Sequence, residues 1–132
     1  MDKLKCYYAH TMLSYGSTIE EQDIKLLESL GFEVINPNSK EIAERCSKHI
    51  EECGKDRVME LFREIVLDCD IVAFRALPDG TILSGIASEL INALDANIPI
   101  LELPCSVRSR MIAYPETKQM LIELGHYKII EK

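Results

Sequence analysis

The chain has 132 residues, of which 47% are hydrophobic, 15 are Lys or Arg and 22 are Asp or Glu, giving a net charge of −7. That length implies one domain with a sizeable core. The acidic balance, with lysines scattered among carboxylates and no basic stripe, argues against nucleic acid as a partner, because phosphate binding needs clustered cations.

No apolar run approaches the roughly 20 residues of a membrane span, so no membrane is expected as a partner. The opening Met-Asp-Lys-Leu-Lys lacks the apolar core of a secretion signal. The five cysteines, Cys6, Cys46, Cys53, Cys69 and Cys105, are odd in number and lack framework spacing. Reduced thiols and a cytoplasmic location are therefore expected. No CxxC pair is present, so neither zinc nor another metal is expected.

Leu4 to Ala9 reads as the first strand, followed by a polar loop from His10 to Gly16. A helix then starts at Ser17 or Thr18, since both offer a capping box, with Glu20 and Glu21 respectively. Ile24, Leu27 and Leu30 recur at helical spacing, and Gly31 ends the helix. Phe32 to Ile35 is a second strand, stopped by Asn36-Pro-Asn38. Ser39 to Glu52 is helical but mostly polar, a surface helix or a partly ordered insertion. After Gly54, Asp56 offers a cap, and Val58, Met59, Phe62, Ile65 and Val66 give a 3.6-residue period.

Ile71 to Phe74 is a short continuous apolar run, as expected for a strand buried on both faces. Pro78, Asp79 and Gly80 form a turn. Ser84 is placed to cap the next helix, whose apolar face is Ile86, Ala87, Leu90, Ile91 and Leu94, with Asn97 as C-cap. Pro99 to Leu103 is another strand, and 106–113 has no clear pattern. Pro115 opens a helix that carries Met120, Leu121 and Leu124 and ends at Gly125. Tyr127 to Ile130 fits a last edge strand.

Strands alternating with helices on short connections imply a parallel sheet with helices on both faces. The expected fold is a single α/β domain over 1–132, a flavodoxin-like or Rossmann-like three-layer sandwich with a mostly parallel sheet of about five strands. The segment from Asp70 to Glu89 is its centre, because a loop leaving the carboxyl end of a buried strand is where open α/β sheets bind ligands. Ser84 and Gly85 at a helix start supply an anion site. The loop of His10, Thr11, Ser14, Tyr15 and Gly16 supplies another, Arg75 at the strand end is within reach of a phosphate, and Gly80 in the next turn is a further candidate for substrate binding. The first loop lacks Gly-x-Gly-x-x-Gly, which counts against a dinucleotide, and no cofactor is expected.

The pieces Cys6-Tyr-Tyr-Ala-His10, Gly31-Phe-Glu-Val-Ile-Asn-Pro37, Asp68-Cys-Asp-Ile-Val-Ala-Phe74, Pro78-Asp-Gly-Thr81, Ser84-Gly-Ile-Ala-Ser-Glu89 and Ala93 to Pro99-Ile-Leu occur in this order. Together they resemble the nucleoside 2-deoxyribosyltransferase superfamily, which includes deoxynucleoside-monophosphate N-glycosidases. The similarity spans roughly residues 4 to 103, and the order of the pieces is more specific than any one of them. The resemblance implies a flavodoxin-like fold and a glutamate nucleophile in a Gly-x-x-x-Glu segment, matched by Gly85 and Glu89. It implies a tyrosine at the end of the first strand that positions the nucleophile; Tyr7 is the closer match and Tyr8 its neighbour. It also implies an aspartate in the preceding loop that handles protons at the leaving base. Asp79 is in that loop, but the usual position six residues before the glutamate is Leu83. Either Asp79 substitutes, or the chemistry differs or is absent.

The resemblance thus implies N-glycosidic bond cleavage or base exchange on nucleosides or nucleoside 5′-monophosphates, by a homo-oligomer that is a dimer or larger. A carboxylate stabilises or attacks the anomeric carbon, and a second group protonates or binds the departing base. The helix N-terminus near Glu89 is expected to keep it ionised. The alternative is a non-catalytic nucleotide-binding module, with Leu83 as its motive. Each residue also has a plain structural reading. Glu89 is a boundary carboxylate of its helix, Asp79 and Gly80 are turn residues, Arg75 pairs with an acid, and one of Tyr7 and Tyr8 is core.

Overall fold

The computed structural model describes residues 3–104 and 111–127. The sheet has four strands, β1 (Lys5–Ala9), β2 (Glu33–Ile35), β3 (Ile71–Phe74) and β4 (Ile100–Glu102), all parallel in the order β2-β1-β3-β4. The helices are α1 (Thr18–Ser29), α2 (Lys40–Cys53), α3 (Val58–Leu67), α4 (Ser84–Asp95) and α5 (Tyr114–Glu123). The described residues therefore form an α/β fold compatible with a Rossmann-like arrangement. The expected fifth strand at Tyr127 to Ile130 lies almost wholly outside the described residues, as does most of 106–113.

Alternation along β1 sorts its side chains into two cores. Tyr7 and Ala9 join Val72 and Phe74 in a cluster with Leu61, Ile65 and Val66 of α3 and Ile86, Leu90 and Ala93 of α4. Cys6 and Tyr8 join Ala73, Leu27 of α1 and Leu103 in a second cluster. Each large apolar side chain so buried contributes about 1.5–3 kcal/mol. The chain moves from β1 to β2 on one side and returns to β3 on the other. The carboxyl ends of β1 and β3 thus flank a switch point, where a crevice opens.

Several helix ends differ from the sequence expectation. Ser17 is the N-cap of α1, its Oγ accepting from the Glu20 amide at 3.3 Å. The Glu20 carboxylate does not close the box on Ser17; it accepts from the Gly16 amide instead, at 3.1 Å. Ser84 is the first helical residue of α4 rather than its cap, and the cap position is held by Leu83, which makes no side-chain bond there. Asp56 does not cap α3: a 3-10 turn over Lys55–Arg57 intervenes, and Arg57 holds the cap position without a side-chain bond. Asn97 lies just past the Ala96 C-cap of α4, with a positive φ of 58° that asparagine tolerates better than most residues.

The inward faces shift too. On α1 only Leu27 of the expected apolar set is fully buried, and Leu30 is exposed. On α4, Ile86, Leu90 and Ala93 are buried while Ile91 and Leu94 face out. On α5 nothing is buried. The polar α2 is an ordered helix anchored by Ile42. Among the described residues no helix is long and apolar enough to cross a membrane.

Candidate functional site

Glu89 sits in the second turn of α4, on the side that meets β1. Its Oε2 is buried and has no hydrogen-bond partner, and the same holds for the hydroxyl of Tyr7, whose side chain is 0% exposed. The two groups are close enough to act on each other, without reaching good hydrogen-bond geometry. Burial pushes the Glu89 carboxyl up to about 7, against a smaller downward pull from the Tyr7 hydroxyl. Burial, reinforced by the Glu89 charge, holds the Tyr7 phenol far above its ordinary value. The expectation that the helix N-terminus keeps Glu89 ionised is thus reversed. The dipole's effect fades beyond the first turn, and desolvation dominates.

The Glu89 carboxylate looks into a cavity of about 450 Å³. Its floor and one wall come from α4 and the residue before it: Leu83, Ser84, Gly85, Ile86 and Glu89. The loop after β1 gives His10, Thr11, Met12 and Tyr15, and Pro37, Met59 and Phe62 close the apolar side. The wall is therefore largely apolar, with one acid and a few hydroxyls, the composition of a small-molecule site. A larger hollow of about 830 Å³ borders β2, α2 and α3, lined by charged residues such as Lys5, Glu41, Arg45 and Asp68. The smaller cavity is the better candidate, because it alone holds the unpartnered buried carboxylate.

A polar network holds the loop wall. His10 is buried, its Nδ1 3.0 Å from the Tyr8 carbonyl and its Nε2 2.7 Å from Glu20 Oε2. Both partners are acceptors, so both ring nitrogens are engaged in holding the fold. The His10 ring stacks on Tyr8, with 3.8 Å between centroids, and Tyr15 leans on its other neighbourhood at 4.9 Å. Glu20 also accepts from Asn38 Nδ2 at 3.2 Å. Burial would raise its carboxyl, but the bonds from His10, Gly16 and Asn38 outweigh this and hold it below its ordinary value.

Tyr8 belongs to the opposite core. Its hydroxyl donates to Asp23 Oδ2 at 2.5 Å. Arg75 Nε donates to the same oxygen at 3.0 Å, Nη2 donates to Asp23 Oδ1, and Nη1 donates to the Pro104 carbonyl. Strand alternation alone assigns Tyr7 to the cavity side and Tyr8 to this clamp.

The structure brings Glu89, His10, Thr11, Ser84 and Gly85 into the wall of one cavity, with Tyr7 wholly buried beside Glu89 and not itself in that wall. It does not bring Asp79 there. Asp79 is exposed and its Oδ1 accepts from the Thr81 amide at 2.9 Å, in the turn that Gly80 completes with φ 90°. Two hydrogen bonds from Thr81 hold its carboxyl low. Arg75 is engaged with Asp23 rather than lining the cavity. Ser14 donates to the Thr11 carbonyl at 2.9 Å and Gly16 donates to Glu20; both shape the loop from outside the cavity wall.

Pro37, Met59 and Phe62 read in the sequence only as a strand stop and an apolar helix face, and Met12 carries no signal; their place in the cavity wall depends on contacts between distant segments. Tyr15 was legible as a loop residue, though not as one facing Glu89. Leu83 lies in the cavity wall itself.

Cys6 and Cys69 are buried, and burial pushes their thiols up to about 11 and about 12, which makes them poor nucleophiles. Among the described residues no group of three or more His, Cys, Asp or Glu converges as a metal site would. Chemically, the arrangement offers one carboxylate poised near neutrality, a neighbouring phenol and a dry wall. Compared with known proteins, the chain matches no family model and no curated protein.

Proposed function

We propose that this protein cleaves or exchanges the N-glycosidic bond of a nucleoside or nucleoside 5′-monophosphate, with Glu89 as nucleophile and Tyr7 as its positioner. The observation that carries this reading is Glu89, half-buried at the wall of a largely apolar cavity, with its Oε2 buried and unpartnered beside Tyr7. A charged group left without a partner in a protein interior is costly, and such groups concentrate where chemistry needs them. The ionised carboxylate attacks the anomeric carbon as the carbon–nitrogen bond breaks, and the electron pair leaves with the base. Water or a second base then displaces the glutamate.

The resemblance to the nucleoside 2-deoxyribosyltransferase superfamily supports the same reading. It carries with it a flavodoxin-like fold and a homo-oligomer, while the strand pattern favours a three-layer sandwich of about five strands and the cysteine usage a cytoplasmic location. For a phosphorylated substrate, the amides at the start of α4 and the Ser84 hydroxyl would meet the anion.

One observation favours a second reading, a nucleotide-binding module without catalysis. Leu83 stands in the wall where the family has its acid, and Asp79 is turned outward. A panel of ribo- and deoxynucleosides and their 5′-monophosphates separates the two. Free-base release by the wild type that is lost in Glu89→Ala supports the enzyme. A raised melting temperature with a nucleotide and no base release supports the binding module.

A further inference from the structure

The cavity has a nucleophile but no second acid among its described walls, and this directs attention to the other groups that could meet a leaving base. His10 is excluded as a free donor, because the Tyr8 carbonyl and Glu20 occupy both its ring nitrogens. Thr11 Oγ1 is turned to the Leu13 amide, capping the 3-10 turn over Met12–Ser14. Tyr15 is different. It is half-buried in the cavity wall, its ring rests on His10 at 4.9 Å, and its hydroxyl makes no hydrogen bond to any described residue. It lies within electrostatic reach of Glu89.

We propose that Tyr15 meets the leaving group: its phenolic hydroxyl donates a hydrogen bond to the base as the glycosidic bond breaks. This assignment rests on the N-glycosidic reading given above. It gives Tyr15 the role that Asp79, held in its exposed turn, cannot fill. The bonds balance without further reactants except water. Glu89 forms a carbon–oxygen bond to the anomeric carbon, the carbon–nitrogen bond breaks, and its electron pair goes to the base nitrogen. Tyr15 keeps its own proton and stabilises the developing negative charge, and the base takes a proton from solvent water. Burial, with the Glu89 charge adding to it, pushes the Tyr15 phenol up to about 12, so it remains a donor across neutral pH. The chain Glu20–His10–Tyr15 fixes the ring, which gives the donor a set direction before substrate arrives.

The test compares wild type and Tyr15→Phe on two substrates. One is the nucleoside whose base the wild type releases best. The other carries the same base made a better leaving group, by N7 methylation of a purine or 5-fluorination of a pyrimidine. Tyr15→Phe keeps the ring on His10, so its melting temperature is expected to match the wild type. The expected result is a loss of about 10- to 100-fold in kcat on the ordinary substrate and of less than about threefold on the activated one. Equal losses on both substrates, or no loss on the ordinary one, would overturn the assignment while leaving the glutamate mechanism intact. A wild type that releases no base from any substrate overturns the glycosidic reading, and the Tyr15 assignment with it.

Discussion

The hydroxyl of Tyr7 on β1 and Oε2 of Glu89 on α4 lie within reach of each other, both atoms buried and neither in a formed hydrogen bond. A strand residue and a helix residue more than 80 positions apart are brought together by the parallel β1–β3 pairing, in which Tyr7 sits opposite Val72, and by the packing of α4 against that sheet. Whatever the substrate, this pair holds a carboxylate in an environment that disfavours its charge.

Activity is expected to rise with pH. In the proposed mechanism the ionised form of Glu89 is the nucleophile, and burial pushes its carboxyl up to about 7. A kcat/KM profile should therefore climb through that value, about tenfold per pH unit on its acid limb. A flat profile between pH 5 and 8 would contradict the assignment.

Stability is expected to move the other way. In the folded chain Glu89 binds its proton more tightly than the ordinary carboxyl value of 4.5. The native state thus holds more protons than the unfolded one between about 4.5 and 7, and stability falls as pH rises through that window. Glu89→Gln removes the charge while keeping the shape. It should stabilise the fold by roughly 1–3 kcal/mol at pH 8 and by little at pH 4, measured by chemical denaturation.

Much of this was legible in the sequence. The apolar run Ile71 to Phe74 coincides with β3, and Gly31, with φ 94°, follows α1 as expected. Glu89 is singled out by its spacing from Gly85 and by the resemblance, Tyr7 by the resemblance alone, and strand alternation separates Tyr7 from Tyr8. Asp79 and Arg75 lie where their plain structural readings put them, in a turn and in an ion pair, and not in the cavity wall. The bond from the Thr81 amide to Asp79, two residues apart, is a local pattern. Asp23, the partner of Arg75, is 52 residues away, and no local pattern names it. The apolar cavity wall from Pro37, Met59 and Phe62 depends on how α2 and α3 cross the sheet, which no period in the sequence encodes.

The Glu20 network should be a stabilising one. Glu20→Gln leaves the His10 Nε2 position facing a weaker partner and should cost about 1–3 kcal/mol at pH 7. Because the folded carboxyl is held below its ordinary 4.5, the contribution is present above that value and is lost as pH falls through the lower folded one. Urea titrations of both proteins should show a smaller gap at acid pH than at pH 7.

The Asp23 clamp is more costly to break. Asp23 is 3% exposed and receives bonds from both Tyr8 and Arg75. Asp23→Ala should destabilise by about 3–5 kcal/mol, since it leaves a guanidinium in a partly buried place without its carboxylate. Tyr8→Phe should cost only about 1 kcal/mol. A loss for Asp23→Ala no larger than that for Tyr8→Phe would show that the clamp is not a unit.

Gly85 offers a trade between stability and binding. A β-carbon there would meet nothing within 4 Å, and the residue is helical without a positive φ. Gly85→Ala should stabilise α4 by about 0.5–1 kcal/mol. The added methyl narrows the start of the cavity, so ligand affinity should fall while the melting temperature rises. A gain in both would place the ligand elsewhere.

The most direct test of the central claim is the time course of free-base release by wild type and by Glu89→Gln, run side by side on the deoxynucleoside the wild type prefers. Steady release by the wild type is expected, with a loss of at least about a thousandfold in the variant, which stays folded and still binds. Release by Glu89→Gln at close to the wild-type rate would contradict the claim, whatever the substrate.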